Sequence, residues 1–193
     1  TYAKEICTPE YAEGLHDVLS RRQDSVTGIL NGIESHLWNP VNDTALAVQF
    51  TKATVHSAKT HLKTLLQKEL GLREQNVPLL VFIGRLELRQ KGIDIMVGAV
   101  GNLLKTREFQ LVILGTGNGE AAKEIRSLVK AHTRSVVFSN EFDDGLARRI
   151  YASSDILLVP SKFEPCGLTQ MIAMRYGTIP LVRKTGGLAD SVV

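Results

Sequence analysis

From residue 78 onward, short apolar runs alternate with amphipathic stretches at spacings of roughly 25 residues, the βαβ pattern, and nothing else in the chain constrains its fold as much. Apolar runs occupy 79–83 (LLVFI), 110–114 (QLVIL), 136–138, 155–159 (DILLV) and 178–182. Helical patterns fill the gaps at 93–105, 120–130, 144–153 and 168–176, and another helix opens at 187–193. Strands such as QLVIL and DILLV are apolar almost throughout, as parallel strands covered on both faces must be. The expected class is therefore α/β, with a doubly wound parallel sheet. Upstream, residues 49–70 read as one long helix ended by Gly71. Residues 27–30 read as a short strand running into an Asn31-Gly32 turn. A helical pattern covers 11–19, after a break at Pro9.

Composition removes several functions. The net charge of +3 is mild and dispersed, and aromatics are 6% of residues without interleaving among the basic ones, so nucleic acid is not an expected partner. No run approaches the ~18 apolar residues of a spanning helix, so a membrane is not expected either. No signal-peptide leader opens the chain, which begins at Thr1 rather than Met, and both ends read as cut. Cys7 and Cys166 make neither a disulfide framework nor a metal site, in keeping with a reducing compartment. The five histidines lack ligand spacing, so no metal or cofactor is called for. Neither a nucleophile elbow nor a Walker A pattern occurs.

In doubly wound sheets, ligands sit beyond the carboxyl ends of the strands. The loop after Val159 runs from Ser161 to Gln170 and is the richest. Gly167 permits close backbone approach, and a helix opening at Leu168 would turn free N–H groups on an anion, with Thr169 adding a hydroxyl. Glu164 repels phosphate but offers strong acceptors to sugar or ribose hydroxyls. A nucleotide sugar and an ordinary solvated βα loop both fit that chemistry. The loop after Ile83 holds Arg85, Arg89 and Lys91, suited to a pyrophosphate; for Arg89 a solvated surface role is preferred. The loop 115–120 fails as a dinucleotide fingerprint, because Glu120 stands where the third glycine belongs. Phe142, after the third strand, fits either a base or a core or rim position.

SKFEPCGLTQMIAMRYGTIPLVRKTGGLADSV resembles the signature region of the bacterial glycogen synthase and plant starch synthase family. TYAKEICTPEYAEGL, GILNGIESHLWNP and GRLELRQKG are similar to three further blocks of that family, in family order. The resemblance implies a GT-B architecture with two Rossmann-like domains. It implies retaining transfer of glucose from ADP-glucose to the non-reducing end of an α-1,4-glucan, in the bacterial cytoplasm or, for plant members, the plastid stroma. By motif match, the catalytic set is Glu164, on the donor glucose, with Arg85 and Lys91, on the diphosphate. Asn31, Phe142, Cys166, Gly167, Leu168, Thr169, Gly186 and Gly187 would line the donor site.

Three departures stand out. The Arg85–Lys91 loop is one residue longer than the family's R-L-x-x-Q-K-G. Ile172 occupies the second Glu position of the wider superfamily's E-x7-E motif, which this narrower family also lacks. Phe142 replaces a common Tyr. The family's K-x-G-G-L loop is not in this sequence. Residues 1–22 are accordingly read as the tail of the N-terminal domain, and 23–193 as most of the C-terminal domain. This piece alone is expected to be inactive. A UDP-glucose-dependent relative and a non-catalytic sugar-nucleotide-binding module are the alternatives.

Overall fold

Strand and helix alternate as the apolar pattern requires in the computed structural model, which describes residues 1–192. The strands are β1 (Leu79–Ile83), β2 (Gln110–Leu114), β3 (Val136–Ser139), β4 (Ile156–Val159) and β5 (Ile179–Val182). All pair in parallel, in the order β3-β2-β1-β4-β5. Two short helices, α1 (Tyr2–Glu5) and α2 (His16–Arg21), precede α3 (Val55–Glu69). Then α4 (Ile93–Leu103), α5 (Gly119–Ala131), α6 (Asp144–Ser153), α7 (Thr169–Arg175) and α8 (Gly186–Ser191) follow the strands in turn.

Side chains of β1 divide by parity between two cores, as a period of two demands. Leu79 and Val81 join Leu62 and Leu66 of α3, Ile150 of α6 and Ala173 of α7. Phe82 joins Met96 and Val100 of α4 and Ile125 of α5 on the other face. Local chemistry sets several helix ends. Asn118 caps α5 by accepting from Glu120 N–H and Ala121 N–H, and Asp143 caps α6 through Leu146 N–H. At the end of α3, Leu72 N–H donates to Gln67 O (2.9 Å) and Gly71 N–H to Lys68 O (3.2 Å), the paired bonds of a Schellman turn.

Three expectations are corrected upstream of the sheet. Residues 27–30 form no strand and Asn31-Gly32 no turn, because no strand edge meets them; Ile29 stays 87% exposed. The long helix begins at Val55 rather than residue 49. Phe50 is drawn into the core, and the Thr51 and Thr54 hydroxyls hold a separate turn before the helix. The 11–19 pattern yields only α2, since Glu13 and Gly14 adopt left-handed backbone (φ 47° and 87°).

The irregular stretch from 27 to 54 is held to the sheet domain by one buried cluster. Arg148 of α6 stacks over the Trp38 ring (4.4 Å), donates to Leu37 O (2.7 Å) and pairs with Asp43 (3.3 Å). The Tyr176 hydroxyl donates to the same Asp43 carboxylate.

The strand order also locates a crevice. Successive strands leave β1 on one side as β2 and β3, then on the other as β4 and β5. The loops after β1 and β4 therefore diverge at the switch point, where doubly wound folds bind ligands.

Candidate functional site

At the switch point the loops after β1 and β4 are laced together. Gly92 has φ +64°, and a Cβ there would lie 2.1 Å from Pro160 O, so the backbones touch as only glycine allows. Lys162 N–H donates to Gln90 O (2.7 Å), and the Lys162 ammonium pairs with Asp94 (2.8 Å). This lacing sets Lys91 Nζ 2.6 Å from Glu164 Oε2, an oxygen that also accepts from Ser161 Oγ (3.0 Å). Glu164 is 7% exposed, yet its Oε1 accepts no hydrogen bond among the described residues and is not sealed away. A carboxylate held on one oxygen by a cation, with the other oxygen free, is set up to accept from a ligand hydroxyl.

The loop after β5 closes the third side. Gly187 N–H donates to Glu164 O (2.9 Å). Gly186 has φ +45°, and a Cβ there would stand 2.0 Å from that same carbonyl oxygen. Gly187 lies against Cys166, whose Cα would be 2.4 Å from an added Cβ. The first residues of the chain cover this loop. Glu5 Oε1 accepts from Gly186 N–H (3.0 Å), and the Tyr11 ring meets Phe163 edge-on at 6.4 Å. The Tyr2 hydroxyl is pushed above its usual pKa by burial and then by the Glu13, Glu5 and Glu164 carboxylates, so it shares their field.

The residues expected from the sequence separate into groups. Lys91, Glu164, Cys166, Gly186 and Gly187 come together. Arg85 stands at the exposed rim, where its Nη2 donates to Gln90 Oε1 (3.2 Å). The loop makes a turn over 88–90, with Lys91 N–H bonded to Glu87 O (2.8 Å). Lys91 still reaches Glu164. Arg89, on that turn, is exposed as expected and meets Glu13 (3.1 Å) at the surface. Gly167, Leu168 and Thr169 lead into α7, which opens at Thr169, one residue later than expected. Phe142 is 92% exposed, which removes the core reading and leaves the base and rim readings. Asn31 is exposed in the irregular segment and makes no hydrogen bond among the described residues. The loop 115–118 is a tight crossing onto Leu86, consistent with a turn rather than a dinucleotide fingerprint.

Spacing gave no sign of Glu5, 181 residues from its partner Gly186. Ser161 and Gln170 lie inside the quoted signature, but nothing in the sequence assigned them contacts. A cavity of about 630 Å³ opens at the opposite ends of the strands and is lined in part by Lys59, Lys63 and Asp155. Its charged groups at the strand ends are engaged with the protein. Lys63 pairs with Asp155 (2.6 Å), while Lys59 Nζ serves Tyr151 O, Ala152 O, Tyr176 O and Thr178 Oγ1. The crevice at Glu164 is the better site because its chemistry is left open toward a ligand.

The sheet is parallel and doubly wound with a charged crevice at its switch point, and the chain belongs to the family described as Glycosyl transferases group 1, which matches residues 77–193. Within it, the chain is similar over its whole length to glycogen synthases. It is 44% identical to the glycogen synthase of Lactiplantibacillus plantarum and 47% identical to that of Anaeromyxobacter sp., in both cases over 100% of this chain and 40% of the relative. The catalytic domain of starch synthase IV from Arabidopsis thaliana, bound to ADP and acarbose, superposes with a TM-score of 0.91 at 41% identity, covering 100% of this chain and 40% of that one. This match and the sheet topology place the fold in the GT-B glycosyltransferase class. The chain spans about 40% of the length of these relatives.

Proposed function

We propose that the protein, at its natural length, is an ADP-glucose-dependent glucan synthase. It transfers glucose, with retention, from ADP-glucose to the non-reducing end of an α-1,4-glucan. The observation that carries this reading is the Lys91–Glu164 pair at the switch point, a phosphate-type cation beside a carboxylate with one oxygen free. The glycogen synthase relatives and the ADP-bound and acarbose-bound starch synthase support the same donor and acceptor.

In this account Glu164 accepts from hydroxyls of the donor glucose. Lys91 and Arg85 hold the diphosphate and offset the charge that grows on it as the glycosidic bond breaks. The backbone around Gly167, Leu168 and Thr169 adds N–H donors to the phosphates, and Cys166, Gly186 and Gly187 shape the floor beneath them. Phe142 meets the base, and Asn31 lies near the donor. Residues 1–22 are the tail of an N-terminal, acceptor-binding domain, and 23–193 belong to the C-terminal donor domain. Transfer needs both halves to position donor and acceptor, so this chain alone does not turn over. The proposed setting is the bacterial cytoplasm, and the bacterial sources of the relatives support the first half of that reading. Among the described residues no helix is long and apolar enough to cross a membrane.

The test is incorporation of labelled glucose into glycogen by the protein at its natural length, with ADP-glucose and UDP-glucose offered separately. Preference for ADP-glucose supports the proposal. Preference for UDP-glucose overturns the donor, and no incorporation from either overturns the activity.

A further inference from the structure

Gln170 lies in the first turn of α7 and is completely buried. Its Nε2 donates to Cys166 O (3.0 Å), Gly167 O (3.0 Å) and Ser191 Oγ (2.9 Å). Ser191 Oγ in turn donates to Gly187 O (2.7 Å), and Gly187 N–H donates to Glu164 O (2.9 Å). One amide thus joins the loop carrying Glu164 to the helix that supports it. Because the nitrogen faces three oxygens, the amide has only one workable orientation, which leaves Oε1 buried without a partner. Burying an unpaired carbonyl is unfavourable, so the position is set by what Nε2 holds.

What it holds is the direction of two peptide planes. In a trans peptide the C=O of one residue points opposite to the N–H of the next. With the Cys166 and Gly167 carbonyls turned inward onto Gln170, the N–H groups of Gly167 and Leu168 point away from it. Neither N–H donates to any protein group among the described residues. Gly167 makes this possible with φ +74°, and a Cβ there would lie 2.5 Å from Gln170 Oε1.

We propose that Gln170 is a positioning residue of the donor site, holding the 166–167 and 167–168 peptide planes so that two backbone N–H groups are presented to the donor diphosphate. The proposal rests on the donor-site reading above. It goes beyond that reading by assigning the loop's anion-binding geometry to a side chain that never touches the ligand.

The test uses the protein at its natural length with Gln170→Leu and Gln170→Glu. ADP affinity, steady-state kinetics with ADP-glucose, and hydrogen exchange of the Gly187 and Ile172 amides without ligand are measured. Gln170→Leu should weaken ADP about tenfold or more and raise KM in step, with kcat falling much less, since diphosphate binding is shared by ground and transition states. Exchange at Gly187 and Ile172, whose amides donate to Glu164 O and Leu168 O, should accelerate. In Gln170→Glu a carboxylate facing carbonyl oxygens has a raised pKa, and its protonated form restores one donor. Its ADP affinity should therefore recover toward that of the unsubstituted protein between about pH 8 and pH 6. A protein that loses thermal stability but keeps ADP affinity and exchange protection would reduce Gln170 to a fold-keeping residue and overturn the proposal. If Gln170→Leu does not fold, the pH series on Gln170→Glu decides. If the unsubstituted protein binds no ADP, the donor reading fails on its own, and exchange in the ligand-free variants still settles whether Gln170 fixes the loop.

Discussion

The Lys91 ammonium lies 2.6 Å from Glu164 Oε2 across 73 residues of sequence, with side chains only 18% and 9% exposed. Each charge is the other's main compensation in a crevice that otherwise desolvates both. Removing one partner strands the remaining charge, whereas removing both does not. Lys91→Met and Glu164→Gln should each lower stability by roughly 2–4 kcal/mol. The double variant should lose clearly less than the sum. Urea denaturation of the four proteins gives the coupling, and strict additivity would mean the pair is not formed in solution.

Gly186 occupies left-handed backbone (φ +45°), which strains other residues, and a Cβ would collide with Glu164 O at 2.0 Å. Gly186→Ala should cost roughly 2–3 kcal/mol from strain and displaced backbone. It should also disturb the Gly187 N–H bond to Glu164 O, so ADP affinity falls with stability. A variant with unchanged melting temperature and unchanged ADP affinity would show that the loop is not packed on Glu164 as described.

Arg148 holds the irregular 27–54 segment through Trp38, Leu37 O and Asp43, and Tyr176 reinforces Asp43. Arg148→Met leaves the buried Asp43 carboxylate short of its cation and should cost roughly 3 kcal/mol. Tyr176→Phe removes one hydrogen bond and should cost about 1–2 kcal/mol. Limited proteolysis should then cut first within 27–54; cleavage elsewhere would place the weak point in another element.

Much of the sheet could be read directly. The runs LLVFI and QLVIL coincide with β1 and β2, because strands covered on both faces leave no polar positions to blur the pattern. The irregular segment could not be read. Residues 27–30 look like a strand, but a strand needs an edge to pair with, and that is a property of the whole fold. Helix α3 starts late because Phe50 is claimed by a tertiary contact that local periodicity does not register. For the site, loop chemistry singled out Glu164 for sugar or ribose hydroxyls and Arg85 and Lys91 for a pyrophosphate, and the resemblance turned these into roles toward ADP-glucose. Glu5 on Gly186 and Gln170 on Cys166 remained hidden because hydrogen bonds between distant loops leave no periodic trace.

Burial pulls the Lys59 pKa down to about 7, with Asp155 opposing and Lys63 adding to the shift. The folded value lies below the unfolded one of 10.5. Between those values the unfolded chain holds a proton that the folded chain has released, so stability rises with pH across this window. The expected gain is on the order of 3 kcal/mol from pH 7 to 10. Lys59→Met should remove that part of the slope, and parallel stability-versus-pH curves for the two proteins would show that Lys59 stays charged when folded.

In the proposed function Glu164 meets the sugar and not the nucleotide. That contact is tested most directly by Glu164→Ala in the protein at its natural length, with kcat for ADP-glucose and Kd for ADP measured side by side. ADP carries no glucose, so the account predicts a fall in kcat of about a hundredfold or more, with ADP affinity unchanged or slightly tighter as Lys91 is freed. Equal losses in turnover and ADP affinity would contradict it.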